Sequence, residues 1–204
     1  MADQTYLTIL QEASCELNIE RSRFIGHCME TPNEAAAKSF IEAVRIKHSQ
    51  ANHNCYAFRV QAGEYPLEYF NDHGEPSGTA GKPILGAIQR LNLLNVTVVV
   101  TRYFGGKKLG VRGLIEAYGK TASLVLEQAG TFLKVPKYSM TLNYPYSEHS
   151  KILYQLRQFE AEIIATRFGE SVQISFSIPL SQYTVLNGFL KEMPHVKILK
   201  PDDF

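Results

Sequence analysis

The sequence predicts an α+β protein of two domains, and three observations carry that expectation. Residues 136–204 read β-α-β-β-α-β, the order of a ferredoxin-like domain with both helices on one face of an antiparallel sheet. Residues 74–113 hold 8 of the chain's 14 glycines, in two clusters separated by one helical and one β-branched stretch. At 204 residues the chain has room for two domains of about 100 residues each. The boundaries drawn are 1–135 and 136–204, at the break near Val135-Pro136.

Within the first domain, residues 5–30 hold two strand-like stretches around the polar break Glu20-Arg21-Ser22-Arg23, which predicts a hairpin. Thr31-Pro32-Asn33-Glu34 offers Thr31 as the cap, a proline at the first helical position and a glutamate three residues past the cap. Ala35, Phe40, Ile41, Val44 and Ile46 carry that helix to about His48 at a 3.6-residue period. Strands are expected over 54–62 and near 67–70, and a helix over 82–91. The run Val96-Thr97-Val98-Val99-Val100-Thr101 reads as a buried strand. Leu114, Tyr118, Thr121, Ala122 and Val125 line one face of a helix that stops at Gly130.

In the second domain Tyr138, Met140, Leu142 and Tyr144 alternate with polar residues, as do Val172, Ile174, Phe176 and Ile178, so both segments are half-buried strands. Helical spacing links Ile152, Leu153, Leu156 and Phe159, and again Val185, Leu186, Phe189 and Leu190. Strands over 161–168 and 196–199 complete the pattern.

Composition excludes several classes. Hydrophobic residues at 45% and charged residues at 20% argue against a disordered, collagenous or coiled-coil chain. No apolar run reaches the roughly 18 residues of a membrane span, so a cytoplasmic protein without a membrane partner is expected. Cys15, Cys28 and Cys55 show no CxxC spacing and read as structural thiols rather than a disulfide framework or zinc knuckle. The formal net charge of +1 excludes a bulk polycation. Between Lys82 and Lys120, however, seven basic residues face a single acid, Glu116.

Two loops carry the candidate chemistry. The first, from Asn71 to Pro83, misses Walker A spacing, and Pro83 stands where a magnesium-binding hydroxyl is needed. It suits either an anion-binding helix start built from Gly78, Thr79, Gly81 and Lys82, or a tight turn in which the glycines supply geometry. Asp72, His73 and Glu75 form an alternative acid cluster, although neighbours on an extended loop seldom converge on one metal ion, and no metal is expected. The second loop runs from Arg102 through Tyr103, Phe104, Gly105, Gly106, Lys107 and Lys108 to Arg112. Its mixture of cations, aromatic faces and glycines admits a nucleic-acid backbone and stacks bases. No nucleophile motif is present; Cys55 alternates into an apolar strand face, so its proximity in sequence to His48 and His53 points to packing.

The two loops match long motifs: D-x-G-E-P-x-G-T-A-G-x-P over Asp72 to Pro83, and R-Y-[FY]-G-G-x-x-L-G-x-x-G-L over Arg102 to Leu114. Together with Arg21-Ser22-Arg23-Phe24-Ile25, they make the chain resemble the YigZ/Impact family in its bacterial two-domain form. His73 departs from the pattern, which usually has a second aspartate there. The resemblance implies an N-terminal domain like the second domain of ribosomal protein S5 and a C-terminal domain like the last domain of elongation factor G. It also implies a link to translation, since eukaryotic Impact regulates that process. The expected function is thus a translation-linked binding protein for RNA or a ribosome-associated factor, without a cofactor or catalytic residues. A hydrolase acting at the Asp72 to Lys82 loop, or a protein-protein interaction module, is the alternative.

Overall fold

The computed structural model describes residues 5–63 and 65–199. Tyr6–Lys134 forms one compact unit, and the chain from Val135 belongs to a second.

The first unit opens with β1 (Tyr6–Ile9), β2 (Ala13–Ile19) and β3 (Ser22–Glu30). The hairpin expected at Glu20-Arg21 joins β2 to β3 in the register Ile19↔Ser22, with φ of 48° and 70° at the two turn residues. Positive φ at both positions gives a two-residue loop whose twist matches that of the strands. The additional strand β1 pairs with β7 (Thr131–Lys134), a partner beyond the reach of any local pattern.

Helix α1 (Glu34–Lys47) is capped by Asn33, not Thr31: the Ala36 amide donates to Asn33 Oδ1 at 2.9 Å. Thr31 is buried and exchanges a 2.7 Å hydrogen bond with Thr97, so it anchors the end of β3 to a neighbouring strand. After α1 come β4 (His53–Ala62), β5 (Tyr65–Asn71), α2 (Gly81–Arg90), β6 (Val96–Tyr103) and α3 (Gly110–Ala129). The antiparallel sheet runs β2-β3-β6-β4-β5.

Strand alternation divides the core into two layers. Cys55, Ala57, Val96, Val98 and Val100 pack against Ile84 and Ile88 of α2 and Tyr118 and Val125 of α3. Phe58, Val60 and Val99 turn the other way, onto Ile41 and Val44 of α1. Strand β6, central and covered on both faces, is therefore buried from Val96 to Arg102 and rich in valine.

In the second unit β8 (Lys137–Tyr144), α4 (His149–Gln158), β9 (Glu162–Phe168), β10 (Val172–Pro179), α5 (Tyr183–Lys191) and β11 (Lys197–Leu199) follow the expected β-α-β-β-α-β order. The sheet order is β11-β8-β10-β9. Met140, Leu142, Ile174 and Phe176 meet Ile152, Leu156, Leu186 and Leu190 of the helices in one core. Val185, grouped with the apolar face of α5 on spacing, is 64% exposed, because the helix buries the Leu186 and Leu190 side.

Candidate functional site

The first loop folds around its own carboxylate. Asp72 Oδ2 accepts the Gly78 amide at 2.8 Å, and Oδ1 accepts those of Ala80 and Gly81 at 3.0 and 2.8 Å. The anion suited to the start of α2 is thus supplied from within the chain, where negative charge meets the positive end of the helix. This corrects the picture of Gly78 and Gly81 as amides open to an outside phosphate. Thr79 is buried, and its hydroxyl donates to the Pro76 carbonyl at 2.7 Å. Lys82 alone of that group is exposed.

Glu75 has a different partner. Its side chain, 4% exposed, accepts from Arg102 Nη1 at 2.7 Å and from the Tyr118 hydroxyl at 2.8 Å, both at Oε1. Asp72 and Glu75 therefore do not converge on one ion. Among the described residues no group of three His, Cys, Asp or Glu side chains is placed to hold a metal.

Arg102 is correspondingly not a surface cation. It shares the strand parity of Val98 and Val100, so β6 turns it inward, and its side chain is 6% exposed. A second nitrogen donates to Ser22 Oγ at 3.3 Å, while Nε is buried without a hydrogen-bond partner among the described residues.

His73, at φ 43°, accepts the Asn54 amide on Nδ1 at 3.1 Å. Its carbonyl accepts from His53 Nδ1 at 2.9 Å, which leaves Nε2 as the second ring nitrogen. That nitrogen lies 3.8 Å from Glu75 Oε1. Sequence reasoning missed His53 and Tyr118 as members of this cluster. For His53 a signal existed, since it has the parity of Cys55 and Ala57 on β4. Cys55 itself donates to the Asp72 carbonyl at 3.0 Å, and burial pushes its thiol up to about 12, which favours the protonated form. Burial likewise raises Tyr118, which remains a donor to Glu75.

The second loop stands on this base. A Cβ at Gly105 would fall 1.8 Å from the Arg21 carbonyl oxygen, so only glycine allows the loop to sit on the β2–β3 turn. Gly106 follows at φ 85°. Asn52 ties the loop down from the other side: its Oδ1 accepts the Phe104 amide at 2.7 Å, and its own amide donates to the Arg102 carbonyl at 3.0 Å. Tyr103 is held by His48 Nδ1 at 3.0 Å from its hydroxyl, and by the Arg23 guanidinium 4.5 Å from its ring centre. Phe104 is 44% exposed, with the Arg102 guanidinium 5.3 Å from its ring centre. Lys107 pairs with Glu20, Arg112 pairs with Glu116 at 2.9 Å with its side chain 93% exposed, and Lys108 is exposed. A cleft of about 460 Å³ is lined by Glu75 and Pro76 of the first loop and by Phe104, Lys108 and Leu109 of the second.

Both loops lie within residues 20–126, which match the Impact N-terminal domain. The chain belongs to the IMPACT family. Residues 142–193 match a second family model, the domain of unknown function DUF1949. The IMPACT family member YvyE of Bacillus subtilis is 33% identical over 193 residues, covering 95% of this chain and 88% of that one. The IMPACT family member YigZ of Escherichia coli is 36% identical over 175 residues, covering 85% and 86%. A crystal structure of a hypothetical protein, 30% identical, superposes over the full length of both chains with a TM-score of 0.69. The resemblance carried by the two loop motifs is thereby established for the IMPACT family in its two-domain form. Among the described residues, no helix is long and apolar enough to cross a membrane.

Proposed function

We propose that this IMPACT-family protein is a translation-linked binding protein that grips the phosphates of RNA with the loop from Phe104 to Arg112. The observation that supports it is the exposure of Phe104, Lys107, Lys108 and Arg112 on a loop whose backbone is fixed by Gly105, Asn52 and the buried Glu75–Arg102 pair. An aromatic face beside several cations suits single-stranded RNA, in which bases stack and phosphates pair. The acids opposite Lys107 and Arg112 are weak competitors, because solvent screens exposed ion pairs. Lys82, exposed at the start of α2, adds a further cation. Tyr103, tied to His48 and Arg23, positions the loop rather than stacking on a base. Family membership supports translation as the process.

The alternative hydrolase reading draws support from the cleft shared by the two loops. It is weakened because Asp72 and Glu75 are both engaged in structural bonds. Ultraviolet crosslinking in cells, followed by identification of the modified peptides, tests the binding reading. RNA adducts on the peptide containing Phe104 to Lys108 are expected, and crosslinks to protein alone would refute it.

A further inference from the structure

The cleft between the loops brings hydrogen-bonding groups together with two residues of the RNA-gripping loop. Phe104 offers an exposed ring at its mouth, and Lys108 places an ammonium beside it. Among the lining groups the Glu75–Arg102 pair is internally neutral, which leaves Lys108 as the uncompensated charge among the groups named. Asn52 and His53, adjacent in sequence, also line the cleft with hydrogen-bonding groups. Asn52 spends its Oδ1 on the Phe104 amide, which leaves its Nδ2 as a donor. His53 donates from Nδ1 to the His73 carbonyl, so Nε2 is the ring nitrogen left for a ligand. At about 460 Å³ the cleft falls within the size range of small-ligand sites, which is roughly 300–1,000 Å³.

A ligand complementary to this set carries a flat π-face for Phe104, one negative charge for Lys108, and an acceptor for Asn52 beside a hydrogen-bonding group for His53. We infer that the cleft is a single-nucleotide pocket that takes one unstacked base with its phosphate. This rests on the RNA reading above and deepens it: the outer cations hold the backbone, while the cleft receives one base out of the stack. Arg102, 5.3 Å from the ring centre of Phe104, contacts the stacking platform.

The test titrates the full chain with AMP, with ribose 5-phosphate, which lacks the base, and with adenosine, which lacks the phosphate. A short single-stranded RNA is titrated in parallel. AMP is expected to saturate one site and to shift the His53 ring resonances. Each fragment should bind about tenfold more weakly or worse, and Phe104→Ala should lower AMP affinity by about tenfold, the loss of one stacking contact. Phe104 is exposed, so the fold should survive its truncation. Ribose 5-phosphate binding as tightly as AMP, an unaffected Phe104→Ala, or no saturable AMP binding would each overturn the pocket. Tight RNA binding sensitive to Lys107→Glu and Lys108→Glu but without any AMP site would refute the pocket and leave the surface reading standing. AMP binding without RNA binding would do the reverse.

Discussion

Glu75 Oε1 and Arg102 Nη1, 27 positions apart in sequence, meet at 2.7 Å with side chains only 4% and 6% exposed. The pair pins the first loop to the strand that launches the second. Glu75→Gln leaves a buried guanidinium uncompensated and should cost about 3–5 kcal/mol in urea unfolding, whereas Glu75→Gln combined with Arg102→Met should recover most of the loss. A single-substitution cost below about 1 kcal/mol, typical of an exposed pair, would show that the bridge does not hold the loops together.

Asp72 should matter through the helix it caps. Its carboxylate satisfies three amides at the start of α2, so Asp72→Ala should lower stability by about 2 kcal/mol and Asp72→Asn, which keeps one acceptor, by roughly half as much. Thermal unfolding of both variants reads the difference. Equal stability of Asp72→Ala and the parent would contradict the capping role.

A methyl group at Gly105 would collide with backbone of the β2–β3 turn, at 1.8 Å from the Arg21 oxygen and 2.2 Å from its carbonyl carbon. Gly105→Ala should therefore destabilise by about 3 kcal/mol or displace the loop. Gly86 inside α2 is the contrast, with nothing within 4 Å of an added Cβ, and Gly86→Ala should stabilise by about 0.5–1 kcal/mol. Denaturant midpoints of the two variants, moving in opposite directions, check both claims.

The pH response follows from a buried chain of rings. His27 Nε2 lies 2.9 Å from His48 Nε2, and His48 Nδ1 lies 3.0 Å from the Tyr103 hydroxyl. Burial, with Lys47 nearby, pushes His27 down to about 4, and His48 is lowered for the same reasons. The unfolded chain, with His near 6.5, binds a proton that the fold refuses. Stability present above that value is lost as pH falls toward 4, by about 3 kcal/mol at most for His27. Urea unfolding between pH 7 and pH 4 should show this slope, and His27→Gln should flatten it. An unchanged slope in His27→Gln would assign the effect elsewhere.

These relationships differ in how far the sequence displays them. Alternation around Leu142 and Ile174, and helical spacing around Leu114 and Tyr118, report burial that neighbouring residues share, so the elements they mark were legible. The two loop motifs were legible as a family signature. The Asn33 cap was not, because Thr31 and Asn33 both suit the position and the choice falls to a tertiary contact, Thr31 to Thr97. Arg102 was misread as a surface cation because the loop around it is basic, although its parity with Val98 and Val100 on a doubly covered strand already turned it inward. The partners Glu75, Tyr118 and His53 come from three separate elements, and local patterns do not encode which of them meet.

The most direct test of the central claim is the salt dependence of single-stranded RNA binding, measured by fluorescence anisotropy on the parent and on Lys107→Glu with Lys108→Glu. Removing two phosphate contacts should reduce the slope of log K against log salt by about 1.4 and weaken binding at least tenfold at low salt. An unchanged affinity and an unchanged slope would show that the Phe104 to Arg112 loop does not hold RNA.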